Sequence, residues 1–416
     1  MKIVQINTVY EQASTGKIAA ALYNLANDKG HDARLAYGRG EKPAYYGIDG
    51  YLIGNRLDFY AHVLYNFTTG RNGFASKHCT EKFLNWLKAE KPDIIHLHNI
   101  HGFYLHVGML FDFIKENLIP VIWTLHDCWP ITGHCAYFDY ANCSKWVSGC
   151  YDCPIYRSDY PYSIFKDNSR QNWELKKEVF SGVENMTIVT PSKWLAEIVK
   201  KSYLGTYPVE VIPNGINTNI FKPYSVTSPE VENIYRCYPH LRNRRVLLGV
   251  ASIWEERKGL DYLLRLSNTY NANHPDNPYQ VVIIGLSNKQ CKQISKRHGD
   301  NVLCLTRTSD AHELAAWYSL AYAYINPTLQ DNYPTTNLEA ISCGTPVITF
   351  NTGGSPESIS EDTGIVVDKY DLKGLVSAVT QIKIPESNTT LRDDFSQETA
   401  FQKYIDLYNR IYSANN

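Results

Sequence analysis

Two periodicities alternate along the chain. Short runs built around aliphatic residues occur at residues 2–7 (KIVQIN), 93–98 (DIIHLH), 120–125, 187–190, 209–213, 245–251 (RVLLGVA), 281–285 (VVIIG), 302–305, 323–326 and 346–350. A strand covered on both faces shows no apolar–polar alternation, so these read as buried strands of a parallel sheet. Between them lie stretches of helical spacing. One is residues 17–29, after a polar loop at 8–16; another is residues 335–343, where Leu338 and Ile341 are three apart and Gly344 is a natural stop. Strand, loop and helix in succession form the repeating unit of a doubly wound α/β domain, whose ligands lie at the carboxyl ends of the strands. The pattern runs twice without internal sequence repeat. It pauses at the tight-turn dipeptide Asn214-Gly215, and the polar segment 216–245 reads as a linker. The expectation is an α/β protein of two Rossmann-like domains, residues 1–214 and 215–396, followed by a helical tail.

Composition narrows the function classes. A chain of 416 residues exceeds what one core usually organises, and 44% hydrophobic with 20% charged residues is ordinary for a folded protein. A formal charge of -1 argues against a nucleic-acid binder that relies on bulk positive charge. No apolar run approaches the roughly 18–20 residues of a membrane span, and the first residues enter a strand with no signal-peptide apolar region. A cytoplasmic protein is expected. The 31 Tyr and 8 Trp leave room for docking at the inner face of a membrane, although packing and sugar stacking also account for them.

Residues 331–354 (DNYPTTNLEAISCGTPVITFNTGG) carry the densest candidate chemistry. A loop entering a helix N-terminus offers unpaired N–H groups to an anionic or hydroxyl-rich ligand. Asp331 precedes that end and Glu339 lies about a turn inside it, so both carboxylates can face one ligand; Thr336 with Glu339 also reads as a capping box. In the first half, the alternating pattern puts His96 and His98 on one face of a strand, while His98, His101 and His126 fall at or beyond strand ends, where function sits in this architecture. A lone histidine is more often structural. Gly16-Lys17 belongs to neither a dinucleotide fingerprint nor a Walker A loop, which weakens nicotinamide and ATP readings. Half of the ten cysteines, Cys128, Cys135, Cys143, Cys150 and Cys153, crowd one stretch. In a reducing compartment Cys135, Cys143, Cys150 and Cys153 suggest a structural Zn²⁺ site, with free buried thiols next and disulfides last; the spacing is not a standard double C-x-x-C.

An acid, seven residues, a Glu, then EAISCGTPVI and a Gly-Gly pair resemble the sugar-nucleotide site of glycosyltransferase family 4, retaining enzymes of the GT-B fold. STGKI at 14–18, TLHD at 124–127 and PNGI at 213–216 fit the same resemblance. LHDCWPITGHCAYF and NIHGFYLH resemble its colanic-acid and capsular polysaccharide subgroup. The resemblance implies two Rossmann-like domains facing each other across a cleft, with the tail helix 397–416 packing back on the first. It implies transfer from a UDP- or GDP-sugar to a hydroxyl of a lipid-linked glycan, with no catalytic cofactor. In that reading Glu339 accepts the ribose hydroxyls. Asp331, with the N–H groups of Asn332 and Tyr333, holds the sugar. Gly16, Lys17 and Lys258 meet the diphosphate, the backbone at Thr306 meets the base, and His126 lies near the transferred sugar with His98 and His101 toward the acceptor. Two positions depart from the family: Asp331 stands where Glu is usual, and Ser252 where Arg is usual, with the adjacent Arg257 expected to point elsewhere. The rival readings are a GT-B sugar-nucleotide epimerase, a silent glycan-binding subunit and, last, a dehydrogenase.

Overall fold

The computed structural model describes residues 1–40, 50–273, 279–384 and 395–415. The chain divides into two compact units, Met1–Pro213 with Phe401–Asn416, and Asn214–Ala400. The first holds a seven-stranded parallel sheet of β1 (Lys2–Val9), β2 (Asp32–Arg39), β3 (Gly50–Leu52), β4 (Ile94–Leu97), β5 (Val121–Thr124), β6 (Met186–Thr190) and β7 (Val209–Val211). Its order is β3-β2-β1-β4-β5-β6-β7, so the chain changes direction across the sheet between β1 and β4, with Ile6 opposite Leu97. The second holds β8 (Arg245–Val250), β9 (Tyr279–Ile284), β10 (Val302–Leu305), β11 (Ala323–Asn326), β12 (Val347–Phe350) and β13 (Gly364–Val367) in the order β10-β9-β8-β11-β12-β13. Here the switch falls between β8 and β11. Connections diverge at such a point, and the gap they leave at the strand carboxyl ends is where this architecture binds ligands.

The runs inside each sheet become buried strands, with every residue of β4, β5, β9, β11 and β12 buried, whereas the edge strands β7 and β10 stay largely half-buried or exposed. Behind the first sheet, Phe111, Trp123 and Phe180 pack with ring centroids 4.7 to 5.4 Å apart. Truncating one such ring to alanine costs about 3–5 kcal/mol. The tail forms the helix Gln397–Asn415, whose Tyr404 and Tyr408 are buried in the first unit. Among the described residues no helix is long and apolar enough to cross a membrane.

Two local expectations fail. The segment 216–245 is not a bare linker: Ile216, Phe221, Val231, Ile234 and Leu241 belong to the core of the second unit. It contains the helix Pro229–Cys237, started by Ser228 accepting from the Val231 N–H and by Pro229 in the first turn. Its buried stripe is only two residues, too short to stand out as a period. The first helix runs Ala13–Asp28 rather than from residue 17, so Gly16 lies in its first turn instead of in a loop. A Cβ at Gly16 would come within 3.1 Å of both the Glu11 nitrogen and a Val9 methyl. The glycine therefore lets the helix start sit tightly on the end of β1.

Candidate functional site

In the second unit the chain leaves β8, makes a short 3-10 turn at Glu256–Lys258 and reverses at Gly259. Gly259 has φ of 73° and a Cβ there would lie 2.0 Å from the Pro327 carbonyl oxygen, so only glycine permits the approach. That turn delivers Lys258, whose Nζ donates to Asp331 Oδ2 at 2.5 Å. Asp331 Oδ1 accepts from the Asn332 N–H at 3.0 Å. The Gly-Gly pair of the sequence pattern closes on the same residue: the Gly354 N–H donates to the Asp331 carbonyl, and a Cβ on Gly353 would collide with that oxygen at 1.9 Å. Arg257 does not point elsewhere. Its Nη1 donates to the Gln330 carbonyl at 2.9 Å, and its charge acts on Asp331. Burial would push the Asp331 carboxyl up, but Lys258, Arg257 and the Asn332 N–H together hold it below the usual aspartate range. Burial draws the Lys258 ammonium down, against the pull of Asp331.

The helix Thr335–Ser342 begins at Pro334 with no side chain capping it, so the expected Thr336–Glu339 capping box is absent. Instead Glu339 Oε2 accepts from the Tyr318 hydroxyl at 3.0 Å. Burial, reinforced by the Glu339 charge, holds that phenol well above its ordinary pKa, so it remains a donor. Buried Asn337 anchors the helix, accepting from Asn326 at 2.8 Å and donating to the Ser355 and Ser358 hydroxyls at 3.2 Å. The charges of Asp331 and Glu339 both add to the effect of burial in raising the Tyr324 phenol of β11. Asn332 and Tyr333 lie buried between them in sequence, while Thr306 is exposed at the end of β10.

In the first unit a cluster of histidines occupies the carboxyl ends of β4 and β5. His98 Nδ1 lies 3.1 Å from His126 Nε2, and His98 Nε2 lies 3.0 Å from the Gln5 amide in β1. His101 Nε2 contacts Asp127 Oδ2 at 2.9 Å and its Nδ1 meets the Tyr160 hydroxyl at 3.0 Å. His96 is tied to the Tyr408 and Thr124 hydroxyls at 2.6 and 2.8 Å, which is the structural role expected of most histidines. Burial depresses His98 well below the usual histidine range and brings His126 to about 4 despite the nearby Asp127 charge. Burial would raise Asp127, yet His101 and the Trp129 N–H outweigh it and keep the carboxyl low. Gly16 lies at the β1 end of this region and Lys17 is an exposed helical residue beside it.

The zinc expectation is corrected. Cys135, Cys143, Cys150 and Cys153 do line one cavity, of about 20 Å³, with His134, Phe138, Trp146 and Ile155. All four are free, and among the described residues no group of three or more His, Cys, Asp or Glu side chains is arranged to hold a metal ion. Burial against apolar walls pushes Cys150 to about 11 and Cys153 to about 12, which favours the protonated thiol over the thiolate a metal requires. The free-thiol alternative describes this stretch.

Four residues of these sites escaped the sequence reading in their roles. Gln5 was visible as a polar residue flanked by Val4 and Ile6 in β1. Asp127 stood next to His126 in TLHD. Arg257 and Tyr318 carried no local signal, because their partners Gln330 and Glu339 are 73 and 21 residues away.

Residues 16–220 match the family model described as Glycosyltransferase Family 4, and residues 244–383 match the one described as Glycosyl transferases group 1. The chain is 22% identical to the colanic acid biosynthesis glycosyl transferase WcaC of Escherichia coli (strain K12) over 437 aligned positions, which cover 99% of this chain and 100% of that one. It is 24% identical to the D-inositol 3-phosphate glycosyltransferase of Paenarthrobacter aurescens (strain TC1), over 48% of this chain and 49% of the relative. Among solved structures, sucrose-phosphate synthase from Thermosynechococcus elongatus superposes with a TM-score of 0.70 at 15% identity, covering 99% of both chains. Anabaena HepE in complex with UDP gives 0.68 at 13% identity, covering 99% of this chain and 100% of that one. At such identities the likeness speaks for the fold: two parallel Rossmann-like sheets of the GT-B kind.

Proposed function

Because this chain belongs to the family 4 glycosyltransferases, we propose that it moves a hexosyl group from a UDP- or GDP-sugar to a hydroxyl of a lipid-linked glycan, with retention of configuration. The observation that carries the reading is the second-unit constellation: Lys258 and Arg257 converging on Asp331 ahead of an uncapped helix N-terminus, with Glu339 one turn inside. Lys258 and the N–H groups opening that helix offset charge on the leaving diphosphate, a preorganised electrostatic role. Glu339, already steadied by Tyr318, accepts the ribose hydroxyls. Asp331 and the backbone after it hold sugar hydroxyls; His126 is assigned to the transferred sugar, and His98 and His101 to the acceptor. Gly16 and Lys17 approach the diphosphate, and the backbone at Thr306 approaches the base. Retention here needs no carboxylate nucleophile of the glycosidase type. The leaving phosphate takes the acceptor proton, and the reading asks for no catalytic cofactor. Similarity to a colanic acid biosynthesis enzyme supports surface polysaccharide as the product class.

The test is a thermal-shift screen of UDP- and GDP-sugars on the full chain and on Glu339→Ala. One donor should stabilise the wild type alone, by about 1.4 kcal/mol for each tenfold excess over Kd. No stabilisation by any donor, or equal stabilisation of the variant, removes the assignment.

The same reading sets the enzyme at the inner face of the membrane. Leu57, Tyr60 and Leu64 form an exposed stripe on the helix Arg56–Thr69, 80%, 65% and 63% exposed, and exposed Ile164 and Phe165 adjoin its end through the Phe67 carbonyl. Exposed Arg56, Arg71 and Lys166 flank them, a pattern suited to an anionic lipid surface. Co-sedimentation with anionic vesicles should be strong for the wild type and weak for Leu57→Glu/Phe165→Glu; equal sedimentation of the two rules the surface out.

A further inference from the structure

Gln5 is completely buried in β1, between the aliphatic Val4 and Ile6. A buried primary amide has an oxygen that must accept and a nitrogen that must donate. Backbone groups of the first helix decide which end goes where. The Ala19 carbonyl can only accept, and lies 3.2 Å from one end of the amide; the Tyr23 N–H can only donate, and lies 3.0 Å from the other. The amide nitrogen therefore faces Ala19, the oxygen faces Tyr23, and the same nitrogen stands 3.0 Å from His98 Nε2. The opposite orientation would set donor against donor at Tyr23 and acceptor against acceptor at Ala19.

We propose that Gln5 is a positioning residue that fixes the tautomers of His98 and His126, so that His126 carries its proton on Nδ1 and acts as a neutral hydrogen-bond donor. With the Gln5 nitrogen donating, His98 Nε2 accepts, and a neutral His98 carries its proton on Nδ1. That N–H points at His126 Nε2, 3.1 Å away, which accepts in turn. A neutral His126 is left with its proton on Nδ1. Burial depresses both rings below the usual histidine range, which keeps them neutral at physiological pH and closes the alternative in which an imidazolium donates from both nitrogens. The ring planes lie 16° apart with centroids 5.4 Å apart, so the two imidazoles meet edge to edge, as an in-plane N–H···N contact requires.

The chemical consequence concerns oxygen partners. A His126 with Nδ1–H donates to a hydroxyl or phosphate oxygen and withdraws charge from it; it does not remove a proton through that nitrogen. General-base chemistry at the acceptor is then assigned away from His126 Nδ1. The identification of that oxygen with part of a sugar donor rests on the proposed transferase function, whereas the relay itself rests only on the buried contacts.

Long-range ¹H–¹⁵N correlation spectra of the full chain labelled at histidine report the tautomer of each neutral ring directly. His98 and His126 should both show the Nδ1–H pattern at neutral pH, and Gln5→Met should give mixed tautomers at both while leaving the His62 pattern unchanged. If donor turnover is measurable, Gln5→Met should lower kcat by roughly tenfold to a hundredfold, as expected when a group orienting a histidine ring is lost, with KM for the donor little changed. An Nε2–H tautomer at His98 or His126 in the wild type overturns the proposal, whether or not the variant folds. Correct tautomers in a protein that turns over no donor would instead count against the transferase reading and leave the relay standing.

Discussion

The two units solve the same architectural problem with opposite chemistry. At the switch point of the first sheet, between β1 and β4, the polar groups form a chain of neutral rings: Gln5, His98 and His126 exchange hydrogen bonds, and burial keeps the histidines uncharged. At the switch point of the second sheet, between β8 and β11, the groups are ions: Lys258 and Arg257 surround Asp331, with the Glu339 carboxylate nearby. A neutral relay orients hydroxyls at little electrostatic cost. An ion cluster is costly to bury and is worth keeping where a charged leaving group must be met. The contrast teaches that a Rossmann-like frame fixes where a ligand sits, while the residues after each strand decide which part of the ligand it is.

The largest effect should come from breaking the charged side. Lys258→Met leaves Asp331, 14% exposed at its side chain, with only Arg257 to balance it; the stability cost should stay below the about 3–5 kcal/mol seen when one partner of a fully buried pair is removed. The double variant Lys258→Met/Asp331→Asn removes the stranded charge and should recover most of that loss in a denaturant titration. Its transferase rate should still fall by roughly a hundredfold to a thousandfold, as when a preorganised charge is taken from a transition state. A double variant that is both stable and fully active would make the pair a structural ornament and erase the contrast.

Acid should separate the units next. Burial pushes His62 and His96 to about 3 and His134 to about 4, and brings His126 to about 4, all in the first unit. Their unfolded value is near 6.5. Between that value and the folded ones the unfolded chain binds protons that the folded unit does not. Stability therefore falls as pH drops from about 6.5 toward 4, by at most about 1.4 kcal/mol per histidine for each pH unit crossed. Asp331 shifts in the same direction for a different reason, its cationic neighbours holding the carboxyl below 3.8, so its contribution is lost at lower pH, as pH falls through the carboxylate range. Hydrogen exchange read by mass spectrometry at about pH 7.5 and about pH 5 should show β4 and β5 losing protection while β11 and β12 keep theirs. Equal loss in both units would mean that the buried histidines do not govern acid stability.

The sheets were largely legible before the structure, because strands covered on both faces are continuous apolar runs and ten of them stand out. The extra strands β2, β3 and β13 were not: Asp32, Arg34 and Arg39 interrupt β2, and β3 and β13 are only three and four residues long and each begins with a glycine. The candidate site was legible where chemistry and backbone signal coincide, as in Asp331, Glu339 and the Gly-Gly pair. It was obscure where a partner comes from far along the chain. The Thr336–Glu339 spacing satisfies a capping rule, yet Tyr318 claims the carboxylate. The four cysteines do gather, as their crowding suggests, but proximity in a loop does not specify the inward geometry of a metal site. Gln5 needed the positions of Ala19 and Tyr23 before its amide could be oriented.

The smallest effect tests the departure at Ser252, where the family resemblance leads one to expect arginine. Were the positive charge missing, Ser252→Arg would strengthen donor binding markedly. The structure argues otherwise. Ser252 is exposed just past β8, whereas Arg257 is mostly buried, 12% exposed at its side chain, and reaches the Gln330 carbonyl beside Asp331. A new exposed guanidinium contributes about 0–1 kcal/mol in such a setting, so Ser252→Arg should improve donor Kd by less than about fivefold. Arg257→Ala should weaken it more, because it removes a charge from the low-dielectric side of the cluster and leaves Lys258 alone with Asp331. Calorimetric titration of the same UDP- or GDP-sugar into both variants ranks the two effects. If Ser252→Arg gains more than Arg257→Ala loses, the cluster lacks a cation at the strand end, and the charged half of the comparison is weaker than its geometry suggests.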